Sequence, residues 1–255
     1  MSVLEAENLS VTLGGRPVLR QISLRAEAGR VTGLIGPNGA GKSTLLRALL
    51  RLQAIDDGRI HWAGSDITRR PPHSLAGVFA YLAQSQSIHW PLSVEATVAL
   101  ARRPTLTPFG RLGAPDRDAI DRAIGLTELH AQRRRPITQL SGGERARALL
   151  ARVLASGAPV IMADEPVAAL DPYHQLNILE LLRAAASDGR LVIMVLHDLG
   201  LARRYCDDVL VLNAGELAAA GPADQMLTAP VLEPVYRVGL EFSASGAITP
   251  LARKA

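Results

Sequence analysis

Apolar and polar positions along this chain fall into two textures. Residues 30–35, 78–82, 160–163 and 191–196 are short, nearly continuous apolar runs, the pattern of strands buried within a sheet. Residues 44–50 repeat leucine at helical spacing, and 145–154 and 172–186 also read as helices. Residues 3–29 read instead as strands around turns. There Val3, Glu5, Glu7, Leu9, Val11 and Leu13 share one alternating register that mixes acids with apolar side chains. Gly14-Gly15 and the stretch around Asn213-Ala214-Gly215 mark hairpins, and Asp56-Asp57-Gly58 marks a turn before a strand over 59–62. From about 85 to 136 strand signals fade. Helices are expected at 93–100 and 116–129, joined by a loop holding Pro104, Pro108 and Pro115. A last helix is expected near 224–232. The pattern predicts an α/β fold: strand–helix alternation on a mostly parallel sheet, with an antiparallel β part and an α-helical insert.

Composition narrows the classes. A chain of 255 residues, 48% hydrophobic, can bury a full core. Its net charge of +4 suits anionic phosphates or a membrane surface, while 4% aromatics leave few platforms for stacking single-stranded nucleic acid. Cys206 is the only cysteine, so an internal disulfide is impossible, a reducing compartment fits, and the thiol reads as a small core or surface residue. Acids appear early at the N-terminus, unlike a secretory signal. The run 191–196 is far short of the roughly 20 residues that span a bilayer, which predicts a soluble chain. Arg133-Arg134-Arg135 reads as a solvated face.

The chemistry concentrates at the ends of the apolar runs. Gly36-Pro37-Asn38-Gly39-Ala40-Gly41-Lys42-Ser43, followed by Thr44, lies between the run 30–35 and a helix. Strand, glycine loop and helix are the setting in which G-x-x-x-x-G-K-S holds phosphate. Backbone N–H groups close around phosphate oxygens, and the helix N-terminus adds positive potential. Lys42 neutralises outer phosphates, and the Ser43 hydroxyl takes one position on Mg²⁺. The run 160–163 ends in Asp164-Glu165-Pro166, at the carboxyl strand end where parallel sheets bind ligands. Asp164 suits Mg²⁺ and Glu165 could polarise an attacking water; a plain cap is the alternative. The run 191–196 brings His197 to the same edge. Leu140-Ser141-Gly142-Gly143-Glu144 has capping-box spacing, but its two glycines exceed what capping needs and suggest a second anion site.

With these residues in this order, the chain resembles the ATP-binding subunit of an ATP-binding-cassette (ABC) transporter over nearly its whole length. The resemblance rests on the phosphate loop Gly36 to Ser43, Gln84 as the glutamine loop, the signature Leu140 to Glu144, Asp164-Glu165, Ala168-Ala169-Leu170-Asp171, and His197. It implies a single nucleotide-binding domain over 1–255. A P-loop NTPase core with its β subdomain would occupy 1–84 and 146–255, and the helical subdomain about 85–145. It also implies ATP and Mg²⁺, and two copies paired head to tail over two ATP molecules. Ser141, Gly142 and Gly143 would then bind the γ-phosphate held by the partner's Lys42. Glu165 would be the catalytic base, His197 would hold the γ-phosphate and attacking water, and Asp171 would link the sites. Gln84 would touch Mg²⁺ and relay its state to the helical insert. Family members stack adenine on an aromatic residue before the first hairpin; here that position is Leu13.

The loops at 81–84, 91–94 and 197–199 resemble importers of iron chelates, haem and vitamin B12. This implies a peripheral bacterial subunit on the cytoplasmic face of the inner membrane, permease subunits, a periplasmic or lipoprotein binding protein, and no nucleic acid. Trp90 is a candidate permease contact. A soluble scaffold ATPase of the same superfamily is the rival. A DNA-maintenance ATPase would need a long coiled coil, whereas Lys42 and Ser141 stand 99 positions apart with proline-interrupted helices between. A translation-type protein would carry two sets of these motifs.

Overall fold

A computed structural model describes residues 2–84, 90–105, 111–168, 170–243 and 246–253, without the side chains of 103–105. In chain order the elements are β1 (Val3–Leu13), β2 (Arg16–Glu27), β3 (Val31–Ile35), α1 (Lys42–Leu49), β4 (Asp57–Trp62), β5 (Ser65–Asp66) and β6 (Phe79–Leu82). Then come α2 (Val94–Ala99), α3 (Ala114–Leu126), α4 (Gly142–Ala155), β7 (Val160–Ala163), α5 (Pro172–Ser187), β8 (Leu191–Val195) and α6 (Leu199–Tyr205). The chain closes with β9 (Asp208–Asn213), β10 (Glu216–Pro222), α7 (Ala223–Met226), α8 (Ala229–Tyr236), β11 (Val238–Phe242) and β12 (Ile248–Arg253).

Six strands build the central sheet in the order β10-β9-β3-β8-β7-β6, parallel except at the β10 edge. This sheet separates two cores. Val192 and Met194 of β8 face one, among side chains of α2 to α6. Leu191, Ile193 and Val195 face the other, with α1 and the antiparallel sheet β2-β1-β4-β5. Strands covered on both faces have no solvent side to fill with polar residues, which is why these runs read as continuous. Cys206 is buried in the first core, where burial pushes its thiol up to about 12 and leaves it unreactive.

The mixed register at the N-terminus has a physical cause. Leu4 and Ala6 point inward, then Leu9 and Val11 do, so the inward phase slips by one residue. The slip is a bulge: Asn8 takes φ 50, and the pairing with β2 shifts between Ala6 and Leu9. Val3, Glu5 and Glu7 therefore do not share a face with Leu9 and Val11.

Several expected boundaries move. Pro115 lies in the first turn of α3, where its missing N–H costs nothing, and not in the joining loop. Pro108 lies outside the described residues. The signature helix begins at Gly142 rather than at 145. The helix expected over 224–232 is two, α7 and α8, and the hairpin β11–β12 behind them was not anticipated. Arg133 is not merely solvated, since it bridges Glu95 and Asp121 across the helical insert. Among the described residues no helix is long and apolar enough to cross a membrane.

Candidate nucleotide site

The loop between β3 and α1 is built on close backbone approach. A methyl group on Gly36 would lie 2.0 Å from the Leu212 carbonyl oxygen of β9, so only glycine passes there. Asn38, Gly39, Ala40 and Gly41 continue the loop to Lys42 and Ser43, the first two residues of α1, and Thr44 is the third. Lys42 is 6% exposed. Its Nζ donates to Gly36 O at 2.7 Å and to Pro37 O at 2.9 Å. Burial lowers its pKa, partly offset by the nearby Glu165 and Asp164 carboxylates.

Asp164 follows β7 and is buried, with its two oxygens engaged separately. Ser43 Oγ donates to Oδ1 at 3.0 Å and the Tyr81 hydroxyl to Oδ2 at 3.3 Å. A hydroxyl and a carboxylate oxygen thus meet beside the phosphate loop, the oxygen chemistry that suits a hard cation. Among the described residues no cluster of three or more His, Cys, Asp or Glu could hold a metal by itself. A cation here would share its shell with phosphate oxygens and water, which these residues fit.

Glu165 collects the remaining candidates. Its Oε1 lies 2.5 Å from His197 Nε2, and its Oε2 accepts from Gln84 Nε2 at 2.6 Å. Its backbone sits at φ 53, a left-handed conformation that side-chain-bearing residues adopt only under local constraint. The ends of β6, β7 and β8 deliver the three side chains to one sheet edge.

The signature and Asp171 gather elsewhere, around the start of α5. Ser141 Oγ accepts from Glu144 N at 3.2 Å while the Glu144 carboxylate accepts from Ser141 N at 2.9 Å, a complete capping box. A side chain on Gly142 would meet nothing within 4 Å, whereas one on Gly143 would press on His174. Asp171 caps α5 by accepting from His174 N at 3.1 Å. Leu13, at the end of β1, is partly exposed. Tyr81 was not singled out from sequence. A partly buried tyrosine hydroxyl needs a partner, but nothing in the sequence says that Asp164, 83 residues further on, supplies it.

A family model described as "ABC transporter" matches residues 19–168. The hemin import ATP-binding protein HmuV of Streptomyces coelicolor is 43% identical, the match covering 91% of this chain and 82% of that protein. The cobalamin import ATP-binding protein BtuD of Halobacterium salinarum is 38% identical over 96% of this chain and 62% of that protein. A solved ABC transporter in an inward-facing conformation superposes with a TM-score of 0.84 at 25% identity, covering 98% of both chains. The chain belongs to the ABC transporter family and is an ATP-binding subunit that hydrolyses ATP to power transport.

Proposed function

We propose that this chain powers a membrane importer of an iron chelate, haem, cobalamin or a similar metal complex. It would do so as one nucleotide-binding domain, with a core at 1–84 and 146–255 and a helical subdomain at about 85–145. The observation that carries the site assignment is the carboxylate of Glu165, held at once by His197 and Gln84 beside Lys42, Ser43 and Asp164. Two copies pair head to tail, and the open space around Gly142 supports this. The chain's own packing does not require glycine there, so the bare backbone is free for a phosphate from outside.

Residues Gly36 to Thr44 cradle the phosphates, with Lys42 turning from its loop carbonyls to the outer phosphate oxygens. Ser43, Asp164 and Gln84 would hold Mg²⁺, which would supply charge neutralisation at the phosphates. Glu165 accepts the proton of the attacking water and His197 fixes that water and the γ-phosphate. Ser141, Gly142 and Gly143 close on the partner subunit's ATP, and Asp171 lies between the sites. The chain then sits peripherally on the cytoplasmic face of a bacterial inner membrane, bound to permeases and indirectly to a periplasmic or lipoprotein binding protein. Trp90, 74% exposed at the entry to the helical subdomain, supports a permease contact there.

Gentle solubilisation of host membranes with the tagged chain tests this reading. A co-purifying multi-span permease is expected, and the binding protein encoded with it names the substrate class. Recovery from the soluble fraction alone, with soluble partners, would instead establish the scaffold ATPase. A second expectation concerns the base. Leu13 offers the base an apolar contact, and neither that contact nor stacking, which tolerates any base, reads the edge that tells adenine from guanine. Comparable kcat/KM values for ATP and GTP are expected; a strong ATP preference excludes the idea.

A further inference from the structure

The first turn of α5 is bonded in two directions at once. Toward the loop behind Glu165, Gln175 Nε2 donates to Leu170 O at 3.0 Å and to Val167 O at 3.4 Å. Toward the signature, the ring of His174 lies against the backbone of Gly143, where a methyl group would sit 3.2 Å from Cδ2. Tyr173 stands edge-on to that ring, with centroids 5.3 Å apart at 69°, and its hydroxyl donates to Glu128 at 3.1 Å. Glu128 in turn pairs with Arg147 of α4 at 3.6 Å.

Stability alone is a weak reason for this arrangement. Tyr173 is 61% exposed, and exposed polar pairs contribute little. His174 buries its Nδ1 with no hydrogen-bond partner among the described residues, while its Nε2 lies 3.8 Å from Asp171 Oδ2, so the ring is lodged between the Asp171 carboxylate and the backbone of Gly143. Gln175 spends its amide on two loop carbonyls, which ties Val167 and Leu170 to α5. One helical turn therefore carries a grip on each of two loops that, in the proposed dimer, serve different ATP molecules.

We infer that His174 and Gln175 are positioning residues that couple the two ATP sites. The inference rests on the proposed reading, in which Glu165 acts on the chain's own ATP and the signature on the partner's. Gln175 makes the loop behind Glu165 move with α5, and His174 makes Gly143 move with the same turn. Loss of phosphate at one site then displaces the glycines that close the other, because packed elements shift as units.

The test compares wild type, His174→Ala, Gln175→Ala and His174→Phe, all full length, by ATP hydrolysis against ATP concentration. Wild type is expected to be sigmoidal. Each alanine variant is expected to become hyperbolic and to need about tenfold more ATP for half-maximal rate, within the range of site–site coupling in affinity. ATP binding by the dilute, undimerised chain stays at wild-type affinity. His174→Phe keeps a ring against Gly143 and restores the sigmoid. A hyperbolic wild type, sigmoidal alanine variants, or no rescue by phenylalanine overturns the inference. Failure of the underlying reading shows separately: Glu165→Gln would then form no ATP-stabilised dimer, whereas failure of coupling alone leaves that dimer intact.

Discussion

Glu165→Gln is expected to bind ATP normally and to lose at least about a hundredfold in turnover, the contribution typical of a positioned general base. The geometry explains why the two effects separate. Oε1 meets His197 and Oε2 accepts from Gln84, and a glutamine amide can keep both partners by turning its oxygen toward Gln84 and its nitrogen toward the imidazole. What it cannot do is accept a proton from water. The left-handed backbone at φ 53 is equally costly for glutamate and glutamine, so the substitution changes chemistry without changing fold. With hydrolysis blocked and both ATP molecules retained, the closed dimer accumulates. Size-exclusion chromatography with ATP and Mg²⁺ should show the variant eluting at twice the chain mass while the wild type returns to monomer. Hydrolysis at the wild-type rate would remove Glu165 from the base role.

What could be read before any coordinates follows a physical division. The buried parallel strands were legible because both faces are covered, so their apolar runs carry no ambiguity of register, and the acids, histidine and glutamine that follow them had to emerge at one edge. The N-terminal strand was harder, because one residue in a bulge inverts the meaning of every position after it; Asn8 is invisible to a strict period of two. The break between α7 and α8 falls at Leu227 and Thr228 and did have a signal, since Pro230 fits the first turn of α8 after Thr228 but not the interior of one helix over 224–232. The β11–β12 hairpin went unseen because every residue of β12 after Ile248 is exposed, on both faces, leaving little apolar alternation to find. At the site, the residues that touch phosphate by motif were legible. Those that hold them in place, Tyr81 on Asp164 and Gln175 on the loop carbonyls, act through contacts far apart in sequence or through backbone oxygens, which no spacing rule encodes.

Lys42→Arg is expected to abolish most nucleotide binding although it keeps the charge. Of the 28 lysines and arginines in this chain only Lys42 and Lys254 are lysines, so arginine serves as the cation almost everywhere else. At position 42 the structure shows why it would not. Lys42 is 6% exposed, and its ammonium donates to Gly36 O at 2.7 Å and to Pro37 O at 2.9 Å, contacts that suit a compact point charge. A guanidinium is planar, wider and fixed in its donor directions, so it would spread the loop or be expelled from it. Loss of a buried, hydrogen-bonded charge partner costs about 2–5 kcal/mol, or roughly 30-fold to several thousandfold in Kd. Equilibrium titration with a fluorescent ATP analogue measures it, with Lys42→Ala beside it. Equal losses in both variants mean that shape decides; wild-type affinity in Lys42→Arg would mean that any cation suffices. Titration in pH adds an independent check. Burial already lowers the Lys42 pKa, so its charge is lost at a pH below the ordinary lysine range of about 10.4. Polyphosphate favours the charged amine and must raise that pKa again on binding. Affinity should therefore hold at neutral pH and fall on going alkaline, beginning as pH passes the lowered value in the free chain. Whatever weak binding Lys42→Arg retains should show no such fall, since arginine stays charged throughout.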